Sequence, residues 1–196
     1  MKIYNLLHDA ENYRWLEYQG NWFDFFHNLN ITNARIDNFD FVIKCKAIRD
    51  KKERILGDYP VFTVPAISQS ARTVLENQLG DLVQILPLET GKLGKYYILN
   101  IINVLDCLDK QKSEISYLSP SSERIFEIKK WIFNGSLNNE NSKIFIIKNQ
   151  LGESIYINEN IKNLIEENNL KGFVFKEVGE IPDFNADATA AFTDKV

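Results

Sequence analysis

Apolar residues along the chain alternate over short stretches more often than they recur at helical spacing, which predicts mainly short strands. The clearest helix is predicted after Ser68, whose side chain can accept a backbone N–H of the first turn. Gly80 is placed to end this helix. Four apolar residues fall on one face of it: Ala71, Val74, Leu75 and Leu79.

A second helix is predicted after Asn158, a residue suited to capping its first turn. Ile161, Leu164 and Ile165 share one face of this helix, and Gly172 follows its end. A helical or irregular turn is expected over residues 22–29, where polar and aromatic residues mix without a clear period.

Strands are predicted where β-branched and aromatic residues cluster. Residues 96–104 are apolar at both alternating sets of positions, which predicts a central strand covered on both faces. Residues 143–148 and 154–157 flank a short polar segment and predict a hairpin. Further strands are predicted at residues 2–7, 13–17, 39–46, 61–64 and 82–88 and from residue 172 onward.

Short strands interspersed with a few helices predict an α+β fold, mainly antiparallel sheets with short helices packed on them. The chain has 196 residues, without an evident linker or repeat, which predicts one domain over residues 1–182. From about residue 183 the composition becomes small and polar. Residues 183–196 are therefore predicted to form a flexible C-terminal tail.

Composition limits the classes of partner. The net charge of −4 and the lack of a basic block argue against nucleic-acid binding, which depends on neutralised phosphates, and hint at a basic partner. The N-terminus lacks the apolar run of a secretory signal, and no stretch of 18 apolar residues exists. A cytoplasmic protein that does not enter a membrane is expected. Cys45 and Cys107 are expected to be reduced and buried.

Motifs that carry chemistry are missing from the sequence. His8 and His27 have no Cys-x-x-Cys pair near them, and a Gly-x-Ser-x-Gly elbow is absent. Asp106 and Asp109 fit carboxylates that accept turn N–H groups. We expect no catalytic residue, no metal and no cofactor. The alternative that stays open is a small hydrolase whose site, including one of the histidines, is assembled only in the fold.

The first 30 residues are dense in aromatic side chains, which serve either as core or as a recognition surface. Trp and Tyr supply much of the energy at protein interfaces. Trp15, Tyr18 and Trp22 are therefore the first candidates for protein binding, with Asp106 and Asp109 as further candidates.

A series of short motifs runs through the middle of the chain. Its members are Pro-Ala-Ile-Ser at 65–68 before the helix, Gln-Ile-Leu-Pro-Leu at 84–88, Tyr-Tyr-Ile-Leu-Asn at 96–100, Leu108-Asp109 with Ser113, and Gly-Phe-Val-Phe at 172–175. Their order over residues 60–178 resembles a family of bacterial immunity proteins from polymorphic toxin systems, of the immunity protein family 11 type.

This resemblance implies a cytoplasmic protein that protects its producer by binding a cognate toxin domain, usually encoded beside it. Leu108, Asp109 and Ser113 match the family pattern, and the family supplies no catalytic residues to carry over. A self-associating structural module is the other alternative, and a homodimer is compatible with toxin binding.

Overall fold

The computed structural model describes residues 1–29, 34–37, 39, 42–48, 54–152 and 154–181, with the backbone alone for residues 26–29. In this part of the chain the strands are β1 (Lys2–His8), β2 (Leu16–Tyr18), β3 (Cys45–Ala47), β4 (Ala66–Ser68), β5 (Val83–Leu88), β6 (Tyr96–Ile101), β7 (Val104–Leu105), β8 (Glu114–Tyr117), β9 (Ile125–Lys130), β10 (Ile144–Ile147), β11 (Ile155–Asn158) and β12 (Phe173–Glu180). The helices are α1 (Trp22–Leu29), α2 (Gln69–Leu79) and α3 (Glu159–Glu167), with 3-10 turns at Gly80–Leu82 and Gly91–Leu93. The predicted α+β class, mainly antiparallel sheet with short helices, is confirmed.

The largest sheet has five strands in the order β12-β1-β11-β10-β7, with only the β10–β7 pair parallel. β10 and β11 form the predicted hairpin. Along β10, Ile144 and Ile146 point to one face, while Phe145 and Ile147 point to the other, and all four are buried. A strand with both faces buried cannot show the apolar-polar alternation of a half-exposed sheet.

Three apolar clusters cover the sheets as successive layers. The helix-side core lies between one face of the five-stranded sheet and helices α2 and α3. The hairpin-side core lies on the opposite face, under strands β8 and β9 and the loops between residues 105 and 137. The N-terminal core joins β2, β3 and α1 to the outer face of a three-stranded sheet in the order β4-β6-β5.

Strand β6 is central in that three-stranded sheet, as its apolar pattern predicted. Leu99 and Ile101 face the helix-side core, and Tyr96 and Ile98 face the N-terminal core. The predicted length was wrong, because β6 ends at Ile101 and residues 104–105 pair with β10 in the other sheet. The break is fixed by Asn103, whose Nδ2 donates to the carbonyls of Asn141 and Ile144 at 2.6 and 2.7 Å.

Two other predicted strands differ from the observed ones in position or length. Residues 61–64 contribute only a single bridge from Val61 to Trp15, and the strand of this region begins at Ala66. The strand predicted at 39–46 is observed only as β3, with one bridge from Lys44 to Glu89; residues 40 and 41 lie outside the described part. The tail predicted at residues 183–196 also lies outside it.

Local signals placed both longer helices correctly. The Ser68 hydroxyl accepts the N–H of Ala71 at 3.1 Å, and Gly80 closes α2 with a φ of 51°. The two cysteines are free and buried, and burial raises the pKa of each thiol to about 12. Both thiols are therefore protonated near neutral pH and pack as small apolar groups.

The segment from Gly57 to Tyr59 ties three parts of the fold together. One Asp58 carboxylate oxygen accepts the Ser68 hydroxyl at 2.5 Å, and the other accepts the Lys171 N–H at 2.8 Å. The buried Tyr59 ring stacks between His8 of β1, with centroids 4.1 Å apart, and Phe173 of β12, at 4.8 Å. The start of α2, the turn before β12 and strand β1 therefore meet at this segment, which we call the Asp58–Tyr59 junction.

Gly172 is predicted to be essential to this junction. Its φ is +90°, and a Cβ there would lie 3.0 Å from the Tyr59 carbonyl oxygen. Gly94 has a similar φ of +97°, but a Cβ at that position would have no neighbour within 4 Å. A substitution at Gly94 therefore measures the cost of the backbone conformation without a steric contact. Gly94→Ala should lower the free energy of unfolding by roughly 1–3 kcal/mol, and Gly172→Ala by more, measured by urea unfolding. Equal losses would show that the close approach carries no cost.

Asn158 is predicted to stabilise α3 from within the core. It is fully buried, its Oδ1 accepts the Ile161 N–H at 3.0 Å, and its Nδ2 donates to the Ser142 hydroxyl at 3.2 Å. Asn158→Ala should cost about 1–3 kcal/mol in the free energy of unfolding, because it removes a cap and leaves buried groups unpaired. The matched control is Asn160→Ala on the exposed side of the same first turn, which should cost much less.

Candidate protein-binding surface

The fold brings together two of the tryptophans that the sequence singled out. Trp15 precedes β2 and is 44% exposed, and Trp22 begins α1 and is 42% exposed. They line a shallow cavity of about 300 Å³, here called the aromatic groove. Its lining consists of Trp15, Leu16, Glu17, Trp22, Ile48, Val61, Phe62 and Thr63. Glu17 is the only ionisable side chain among these lining residues, so the groove is mainly apolar.

Aromatic packing beneath the surface holds Trp22 in place. Its ring meets Tyr18 and Phe25 edge-on, each with centroids 5.3 Å apart, and Tyr18 and Phe25 lie 4.8 Å from each other. Tyr18 is only 8% exposed, and burial raises the pKa of its hydroxyl. Tyr18 therefore supports the wall of the groove from the N-terminal core, and any part it has in binding would act through Trp22.

The two predicted aspartates lie outside the aromatic groove, and their carboxylates bond to residues close to them in sequence. Asp106 pairs with Lys110 at 2.9 Å. Asp109 accepts the N–H groups of Gln111 and Lys112, both at 3.1 Å, and the hydrogen bond from the Lys112 side chain is the main cause of its lowered pKa. For Asp109 this is the turn-organising role expected of a carboxylate at such a position. Neither residue lines the aromatic groove.

His8 lies in a second hollow of about 520 Å³, formed by β1, Tyr59, residues 62–65 and the segment around the start of β11. Its Nδ1 lies 3.4 Å from the Tyr59 carbonyl oxygen, and burial lowers its pKa. Among the described lining residues there is no carboxylate that could orient the imidazole for acid–base work. The His27 side chain is outside the described part of the chain.

Among the described residues, no three His, Cys, Asp or Glu side chains lie together in a way that could hold a metal ion. None of the described helices is long and apolar enough to cross a membrane.

Sequence reasoning missed most of the groove's lining. Ile48, Val61 and Phe62 come from segments well separated from Trp15 along the chain. Val61 is brought next to Trp15 by a parallel bridge, and the Ile48 N–H donates to the Trp15 carbonyl at 2.9 Å. Neither contact leaves a mark on the local sequence pattern, because each depends on how distant segments pair.

A family model for the Immunity protein family (Imm11) matches residues 83–180, half of the 196-residue chain. The chain belongs to the Imm11 immunity protein family. No curated protein matches it in sequence. In this Imm11 protein the matched half runs from β5 to the end of β12 and contains Asp106 and Asp109. Every residue that lines the aromatic groove precedes the matched half.

The partly buried His8 is predicted to make the stability of this Imm11 protein depend on pH. Because the pKa of His8 is below 6.5 in the folded state, the unfolded chain binds a proton more readily as pH falls through 6.5. The free energy of unfolding should therefore decrease from pH 7.0 to 5.5, above the range in which most carboxylates titrate. His8→Phe keeps an aromatic ring against Tyr59 and should flatten this slope in urea unfolding. An unchanged slope in the variant would assign the pH dependence to other groups.

Proposed function

We propose that the chain neutralises a cognate toxin domain by binding it, in the cytoplasm of the bacterium that produces the toxin. Membership in the Imm11 family supports this function. Among the described residues, no arrangement of groups favours a reaction over binding, since the hollow that holds His8 lacks a carboxylate. Protection then comes from covering a surface of the toxin.

The aromatic groove is the contact surface that the geometry supports best. Exposed tryptophans that are already ordered lose little conformational freedom on binding, and they are enriched among the residues that dominate interface energies. Trp22 is fixed by Tyr18 and Phe25, so one wall is in place before a partner arrives. The groove would accept an apolar side chain of the toxin domain between Trp15 and Trp22.

The position of the groove relative to the family match also supports this assignment. The matched half supplies four strands of the five-stranded sheet, two strands of the three-stranded sheet and helix α3. The groove is built from residues 15–63, outside that half. The exposed groove side chains, Trp15 and Trp22, can therefore differ to suit different toxins without a change in the matched half.

Co-expression with the toxin domain encoded by the neighbouring gene tests the function. We expect growth to be rescued and the two proteins to co-elute from a sizing column. A toxin that stays lethal, with no complex on the column, would contradict the proposed function.

Substitution of the groove tryptophans tests the contact surface. Trp15→Ala and Trp22→Ala should each weaken toxin binding by about 30-fold, the effect of losing about 2 kcal/mol of interface energy. Phe126→Ala is the matched control, because Phe126 is an exposed aromatic residue on β9, outside the groove. Circular dichroism and urea unfolding would verify that the variants fold. Equal affinity for all three variants would place the interface elsewhere while leaving the function intact.

A further inference from the structure

A basic hollow adjoins the aromatic groove across the ribbon formed by β2 and β3. It has a volume of about 380 Å³. Its charged lining side chains are Arg14, Lys44, Lys46 and Glu89, three cations to one carboxylate. Lys92, also exposed, lies between the lining residues Gly91 and Leu93. This local excess of positive charge is opposite in sign to the net charge of −4 of the whole chain.

Arg14 is held in a fixed orientation by a neutral group. Its Nε and Nη2 donate to the Ile48 carbonyl oxygen at 3.1 and 2.9 Å. Among the described residues, no carboxylate forms an ion pair with Arg14 or with Lys44. A guanidinium has five N–H donors in a planar fork, so an oriented Arg14 retains donors for an incoming carboxylate.

An ion pair marks the border between the two hollows. Glu17 lines the groove and Lys46 lines the basic hollow, and the two stand opposite each other in the β2–β3 register. Their charged atoms lie 3.0 Å apart, so the charge of Lys46 is largely balanced by Glu17 within the protein. Among the described lining residues, Arg14 and Lys44 are the cations that remain for a partner. The two hollows thus present an apolar site and a cationic site side by side.

We propose that the toxin domain docks through a segment that places an apolar side chain in the aromatic groove and an adjacent Asp or Glu side chain against Arg14 and Lys44. This inference rests on the proposed function and specifies the chemistry of the partner's contact segment.

The proposed contact is opposite in sign to what net charge suggests. A chain of net charge −4 attracts a basic partner at long range, but exposed charges are screened beyond about 10 Å at ordinary salt. Once the surfaces meet, the local charges decide which side chains fit. A toxin domain that is basic overall can therefore still contact this surface with an acidic segment.

Charge reversal at the hollow tests the inference in the toxin complex. Lys44→Glu should weaken toxin binding at least about tenfold, because it puts two carboxylates in contact. Lys129→Glu changes the net charge equally on an exposed position of β9 and should leave affinity near that of the wild type. Arg14→Lys keeps the charge but loses the planar fork, and it should fall between the wild type and Arg14→Ala.

Short peptides test the hollow without the toxin. We would titrate acetyl-Leu-Asp-Glu-amide into ¹⁵N-labelled protein, with acetyl-Leu-Asn-Gln-amide as a neutral control of the same shape. The acidic peptide should give saturable shifts at the amides of Trp15, Lys46 and Gly91 in the wild type but not in Lys44→Glu. The neutral peptide should give smaller shifts at the same positions.

The outcomes separate this inference from the function on which it rests. If the toxin complex forms but Lys44→Glu and Lys129→Glu bind alike, and the acidic and neutral peptides bind alike, the acidic contact is overturned and the immunity function stands. If no toxin complex forms with the wild type, the proposed function itself fails. Stronger binding of phosphatidylglycerol vesicles or single-stranded DNA than of the toxin, lost in Lys44→Glu, would overturn the proposal in favour of another class of anion.

Discussion

The Asp58–Tyr59 junction is the constraint on which the arrangement of the molecule depends. The Asp58 carboxylate joins the start of α2 to the turn before β12, and the Tyr59 ring is enclosed between His8 and Phe173. Residues 61–63 follow directly and form one wall of the aromatic groove. The position of the groove relative to the two sheets is therefore set by a buried contact with strands β1 and β12.

The layered packing explains why the candidate surface lies where it does. The five-stranded sheet is covered on both faces, and the three-stranded sheet separates the helix-side core from the N-terminal core. Central strands of this kind have few side chains left for recognition. The N-terminal layer is covered on one side only, so Trp22 packs on core residues Tyr18 and Phe25 while Trp22 and Trp15 both remain partly exposed.

Features encoded by neighbouring residues were predictable from the sequence. Ser68 and Asn158 placed two helices correctly, and the doubly apolar pattern identified β6 as a central strand. Features that depend on distant pairing were not predictable. The end of β6 is set by Asn103 bonding to residues about 40 positions away, and the walls of the groove come from three separate segments. Tyr18 and Trp22 are aromatic residues of the same N-terminal stretch, and the sequence does not tell which is buried. Only the fold shows that Tyr18 lies beneath the surface.

The tryptophan positions allow ligand binding to be followed by the intrinsic fluorescence of the protein. The chain has three tryptophans, and two of them line the aromatic groove while Trp131 packs against the hairpin-side core. Indole emission shifts in wavelength and intensity when water beside the ring is replaced by protein. A ligand that enters the groove would change the emission of two of the three fluorophores directly, so occupancy could be followed on unlabelled protein at submicromolar concentration.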